Sequence, residues 1–119
     1  MSSKFTELVI DCADPERLSR FWAEVLDYEV TDREESMVCI QDRDRTPPSL
    51  LFVIVPEGKT VKNRLHIDVN PVDRDQAEEV ERLIELGARK IDIGQGDVSW
   101  VVMADPEGNE FCVLKSRVS

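Results

Sequence analysis

The feature that most constrains this chain is that its two halves carry the same order of elements. Glu7 to Cys12 alternates apolar and polar residues and runs into Ala13-Asp14-Pro15, the signature of a strand followed by a helix start. Asp14 offers a capping carboxylate and Pro15 suits the first helical position. Leu18, Phe21, Trp22, Val25 and Leu26 then recur at helical spacing, which predicts a helix to about Leu26. Tyr28 to Thr31, Met37 to Ile40 and the β-branched run Leu50 to Val55 read as three strands. The second half repeats this order. Leu65 to Val69 is a strand, and a helix runs from about Arg74 to Leu86, with a stripe of Ala77, Val80, Leu83 or Ile84, and Leu86 and a stop at Gly87. Lys90 to Ile93, Trp100 to Ala104 and Glu110 to Leu114 are its three further strands.

A shift of 59 residues lays one half on the other without a gap: Asp14 on Asp73, Phe21 on Val80, Val25 on Ile84, Pro47 on Pro106, Phe52 on Phe111 and Ile54 on Val113. The expected fold is therefore α+β, two βαβββ modules over about 5–56 and 64–116, forming a curved mixed β-sheet with the helices on its outer face. The polar stretch from Pro56 to Asn63 is the expected boundary.

Composition removes several function classes. Asp and Glu number 25 against 15 for Lys and Arg, a net charge of −10, which disfavours nucleic acid as a partner. No apolar run approaches the ~18 residues that span a bilayer, so no membrane partner is expected. No apolar stretch follows Met1-Ser2-Ser3-Lys4, so no signal peptide is expected, and the expected compartment is the cytoplasm. Cys12, Cys39 and Cys112 form no C-x-x-C pair, which predicts reduced, buried thiols. With His66 as the single histidine, any mechanism needing two in one chain is excluded.

Strand alternation assigns the faces. Leu8, Ile10, Ile67, Val69, Phe111 and Val113 are expected to pack on the helices. Glu7, Val9, Asp11, Val53, His66, Asp68, Glu110 and Cys112 are expected on the opposite, open face, where a curled sheet gathers them into a trough. The fixed carboxylates of such a trough favour a small organic molecule over a phosphate. Trp100 is read either as a stacking wall or as core, Phe21 and Trp22 as core or interface, and Glu110 as a rim carboxylate or as a carboxylate that acts within the trough. The acidic helix from Asp73 to Glu85 reads as a solvated face, and the Asp105–Asn109 turn as structural, with Pro106 presetting φ and Gly108 supplying a permissive backbone.

Three segments, ELVIDCADPERLSRFWAEVLDYEV, LHIDVNPVDRDQAEEV and VVMADPEGNEFCVL, resemble the vicinal oxygen chelate superfamily, which groups glyoxalase I, bleomycin-resistance proteins and extradiol dioxygenases. The resemblance is nearest the unassigned bacterial glyoxalase-like proteins. It implies metal-ligand positions at Glu7, Val53, His66 and Cys112. Valine cannot ligate and a thiol replaces the usual glutamate, so no metal cofactor is expected, with Glu7, His66 and Cys112 as weak candidates for a divalent ion. Two readings stand open. One is a lyase or isomerase of glyoxalase type with Glu7 and His66 at the reacting centre, where a lone imidazole, titrating at about pH 6.5, suits proton transfer. In it Val53, Asp68, Trp100, Glu110 and Cys112 contact the substrate. The other is a metal-free protein that binds or sequesters a small molecule, as bleomycin-resistance proteins do. The resemblance also implies a homodimer.

Overall fold

The computed structural model describes residues 1–118. The chain divides into two compact units, Met1–Gly58 and the part from Lys59 onward.

In the first unit, β1 (Glu7–Cys12) leads into α1 (Pro15–Leu26), followed by β2 (Glu29–Glu34), β3 (Met37–Gln41) and β4 (Ser49–Ile54). The Asp14 carboxylate accepts from the Arg17 N–H at 3.2 Å and caps α1, with Pro15 in its first turn. Asp27, in the left-handed region at φ 56°, ends it. The four strands pair in the order β1-β4-β3-β2, with β1 parallel to β4 and the other pairs antiparallel. α1 packs on β3 and β4. Leu18, Phe21 and Trp22 are buried against Val38, Ile40, Leu50 and Phe52 in the core, and the Phe21 and Trp22 rings meet edge to face with centroids 5.3 Å apart. Both aromatics are thus core. β2 runs three residues further than the sequence pattern reached, because its distal half, Asp32–Glu34, is polar and pairs with β3 as an exposed edge.

The second unit repeats the plan with β5 (Ile67–Val69), α2 (Gln76–Leu86), β6 (Arg89–Lys90), β7 (Val101–Ala104) and β8 (Glu110–Val113), paired in the order β5-β8-β7-β6. β5 is parallel to β8 and the remaining pairs are antiparallel. Each unit is therefore a four-stranded mixed sheet with one helix, the α+β architecture expected from the repeat. α2 packs on β6 and β8, with Val80 and Leu83 buried, while Ala77 and Ile84 of the expected stripe are exposed. The buried face is rotated toward Glu79, only 7% exposed, whose carboxylate accepts from Arg82 Nε and Nη2 at 2.8 and 2.9 Å. The acidic helix is thus not wholly a solvated face.

α2 starts at Asp75, not Asp73. Asp75 Oδ1 accepts from the Glu78 N–H at 2.8 Å, and Glu78 Oε1 accepts from the Asp75 N–H at 3.2 Å, a complete capping box. Replacing Asp75 with alanine is expected to cost about 1 kcal/mol. Thermal melts should show a midpoint several degrees lower for this variant and near the wild type for Asp75→Asn, which keeps the accepting oxygen.

The gapless repeat also fails in detail. Asp11 pairs with Val53, but Asp68 pairs with Cys112, so the offset between the parallel strands grows from 42 to 44 residues. One residue, Ala13, separates β1 from its helix cap, whereas residues 70–74 separate β5 from Asp75. By strand register the first-unit counterpart of His66 is Val9, and Glu7 lies two residues out of step with it.

Candidate functional site

Register puts Glu7, Asp11 and Val53 on one side of the first sheet, and Asp68, Glu110 and Cys112 on one side of the second. In the first unit Glu7 stands opposite Ser49 and Asp11 opposite Val53. The Ser49 hydroxyl donates to Glu7 Oε2 at 3.0 Å. Glu7, Val9 and Asp11 are exposed and Val53 is half-buried, an alternation that puts Leu50 and Phe52 on the α1 side.

The second unit gathers the chemistry. Glu110, expected at the rim, is only 5% exposed. Lys59 Nζ lies 2.7 Å from its Oε2, and the Asn63 N–H donates to its Oε1 at 2.7 Å. Burial alone pushes the Glu110 carboxyl up, but Lys59, the Asn63 N–H and its own backbone N–H together hold it below its ordinary value. Segment 59–63 thus lies as a strap over β8. Its fastening continues at Asn63 Nδ2, which donates to Asn109 Oδ1 at 3.1 Å, and Lys59 Nζ also donates to the Val61 carbonyl at 2.7 Å.

His66 precedes β5 by one residue, half-buried. Its Nε2 lies 2.9 Å from the Asn63 carbonyl. A carbonyl only accepts, so Nε2 carries the proton and, in the neutral ring, Nδ1 holds the lone pair. Asp68 sits opposite Cys112 on the parallel pair β5–β8. The Cys112 thiol is pushed up by burial first, then by the charge of Asp68 and a hydrogen bond to it, with Lys62 acting weakly the other way. The thiol is therefore held protonated and is a poor nucleophile or ligand.

The turn before β8 supports this cluster. Asp105 is 3% exposed, and its Oδ1 accepts from the N–H groups of Glu107 at 2.9 Å and Asn109 at 3.0 Å. Asn109 Nδ2 donates to Asp105 Oδ2 at 3.0 Å, which orients the Asn109 amide so that its oxygen faces Asn63. Gly108 sits at φ 87°, a backbone conformation that favours glycine, as expected of this turn.

A cavity of about 410 Å³ opens beside the strap, lined by Lys59–Lys62, Arg89, Ile91, Ile93, Ala104, Glu107, Gly108 and Glu110. Ladder pairing places Arg89, Ala104 and Glu110 on one side of the sheet, the side away from Phe111 and Met103. Of the residues expected to contact a ligand, Glu110 alone lines it. Trp100 is 40% exposed, precedes β7 and does not border the cavity, while Glu7 and Val53 belong to the first unit. Lys59, Lys62 and Arg89 escape the sequence pattern, because a strap and a two-residue strand carry no periodic signal.

A divalent cation needs at least three ready ligands in one place. Among the described residues no group of three or more His, Cys, Asp or Glu side chains is placed to hold a metal ion. At the positions implied by the resemblance in the second unit, burial and Asp68 push the Cys112 thiol up, and His66 gives its Nε2–H to a carbonyl and keeps Nδ1 for a ligand, while Val53 in the first unit has no donor atom. The neighbouring carboxylate of Glu110 is neutralised by Lys59. His66 Nδ1 is the ready lone pair that the implied second-unit positions keep, fewer ligands than a divalent ion needs.

Two four-stranded mixed sheets, each with β1-type and β4-type strands parallel, define a βαβββ tandem, and the comparisons place that tandem in a family. The chain belongs to the glyoxalase-like domain family, whose model matches residues 7–114. A possible glyoxalase from Bacillus cereus shares the fold at a TM-score of 0.71 and 16% identity, over 95% of this chain and 99% of that one. The fosfomycin resistance protein FosX from Mesorhizobium loti does so at a TM-score of 0.71 and 17% identity, over 98% and 94%. A glyoxalase/bleomycin resistance protein/dioxygenase family enzyme from Burkholderia phytofirmans PsJN gives 0.63 and 19%, over 93% and 97%. No curated protein matches the chain. Among the described residues no helix is long and apolar enough to cross a membrane.

Proposed function

We propose that this glyoxalase-like domain binds a small organic molecule without a metal ion. The observation that carries this reading is the shortage of ready donors at the implied positions: Val53 has no donor atom, the Cys112 thiol is pushed up by burial and by Asp68, and the neighbouring Glu110 is taken by Lys59 and Asn63. A cation entering here would have to displace a buried ion pair and deprotonate a thiol whose environment opposes it. The cavity of about 410 Å³ falls in the range of small-molecule sites and joins apolar walls to a few polar groups. Fold membership supplies no substrate; these residues define what the site can take.

The test is a thermal-shift screen of small organic molecules run in parallel with EDTA and with added manganese, nickel or zinc. A ligand at a hundred times its Kd is expected to stabilise the protein by about 2.7 kcal/mol, equally in both conditions. Stabilisation that requires the metal and disappears in His66→Ala overturns the reading. The lyase or isomerase alternative requires that a bound molecule be converted, and that either Glu7→Gln or His66→Ala abolish the conversion while binding persists.

A further inference from the structure

The same cavity carries a charge pattern that narrows what it takes. Five ionisable side chains border it: Lys59, Lys62, Arg89, Glu107 and Glu110. Lys59 and Glu110 neutralise one another at 2.7 Å. Neither Lys62 nor Arg89 has an ion-pair partner among the described residues, and both are exposed at the mouth. Lys62 borders the cavity together with Ala104 and Glu110 of the sheet. Against these two cations stands Glu107, leaving the cavity one positive charge in a chain whose net charge is −10. Apart from Thr60 and Gly108 the remaining wall is apolar: Ile91 and Ile93 are half-buried, Ala104 is buried, and Val61 on the strap is 75% exposed. A valine held that far out on a strap fastened at both Lys59 and Asn63 is surface that a ligand would cover.

We infer that the second-unit cavity binds a small organic monoanion, a carboxylate on a short apolar body, with Lys62 and Arg89 at the carboxylate and Val61, Ile91 and Ile93 around the body. The inference rests on the metal-free binding reading and adds to it the chemical class of the ligand. The guanidinium of Arg89 offers a planar fork that matches a carboxylate, and Lys62 adds a point charge. A dianionic phosphate is disfavoured, because its second charge meets Glu107 and has no further free cation to offset it. The position also differs from the implied metal corner, since His66 and Cys112 do not line the cavity.

The experiment uses the full chain with its isoleucine and valine methyl groups labelled for NMR. Hexanoate, hexanamide and inorganic phosphate serve as probes. Hexanoate is expected to shift the Ile91, Ile93 and Val61 methyls saturably. Hexanamide should bind at least tenfold more weakly, and phosphate should neither move those methyls nor compete. Arg89→Gln and Lys62→Gln should each weaken hexanoate about tenfold at an unchanged thermal midpoint, and Arg89→Lys should recover part of the loss. Equal binding of hexanoate and hexanamide, with the same methyls shifting, overturns the anion class but leaves the metal-free binding reading standing. Phosphate competing with hexanoate overturns the monoanion. Methyls that stay still for all three probes overturn the site, and with a screen that finds no ligand anywhere the broader reading falls as well.

Discussion

Lys59→Met is expected to destabilise the protein by about 3 kcal/mol at pH 7, because it strands the buried Glu110 carboxylate without its cation. The Glu110 side chain is 4% exposed and the Lys59 side chain 22%, so the carboxylate cannot turn to water for compensation while the ammonium can. That asymmetry predicts an order. Glu110→Gln keeps an oxygen for the Asn63 N–H and releases Lys59 toward solvent, so it should cost less, about 1 kcal/mol. The pH dependence follows from the direction of the shift. The folded Glu110 carboxyl lies below its ordinary value of 4.5, so the contribution is present above about pH 4.5 and is lost as pH falls through the lower folded value. Removing Lys59 raises the folded value, which shrinks that contribution. Urea melts should therefore show the gap between wild type and Lys59→Met widest at neutral pH and closing as pH falls below 4.5. A gap that is constant with pH, or a Glu110→Gln variant less stable than Lys59→Met, would mean that the ion pair does not fasten the strap.

This pair shows where the sequence stops being legible. β1, the α1 cap at Asp14 and the turn at Asp105–Asn109 are local: the residues that make them lie within a few positions of one another, so their spacing carries the information. Glu110 and Lys59 are far apart in the chain, and Lys59-Thr60-Val61-Lys62-Asn63 has neither strand nor helix periodicity. It therefore reads as a polar spacer, and Glu110 reads as a rim carboxylate. The burial of Glu79 had a local signal, Arg82 three residues on, but the acidic run around it masked the pair. The repeat itself was legible, because Phe52 and Phe111 occupy the same role in β4 and β8, each opposite an isoleucine of the parallel neighbour strand. Its register was not. The extra residues in the connection before Asp75 shift β5 against β1 by two positions, which preserves face parity while changing which residues correspond. Glu7 and His66 therefore lose the equivalence that paired them.

Asp105→Ala is expected to cost about 3 kcal/mol and to loosen the strap from a distance. The Asp105 carboxylate is 3% exposed and accepts from two backbone N–H groups and from the Asn109 side chain. Alanine removes every one of those acceptors, and donors left without partners in a buried turn each carry a desolvation cost. The Asn109 amide then loses the partner that aims its oxygen at Asn63 Nδ2, and Asn63 is the residue whose N–H holds Glu110 and whose carbonyl holds His66. The effect should therefore travel in a definite order: Glu107 and Asn109 first, then Asn63, and through it the Lys59 end of the strap. Asp105→Asn keeps one accepting oxygen and should cost about 1 kcal/mol. Amide hydrogen exchange separates this chain of contacts from general loosening. In Asp105→Ala, exchange at Glu107, Asn109 and Asn63 is expected to rise by at least tenfold more than exchange at Ile10 and Phe52 in the first unit. An equal rise at all five positions would mean that the turn contributes only stability. A rise at Glu107 and Asn109 that stops short of Asn63 would mean that the turn and the strap are held independently, and that the orientation of His66 does not depend on Asp105.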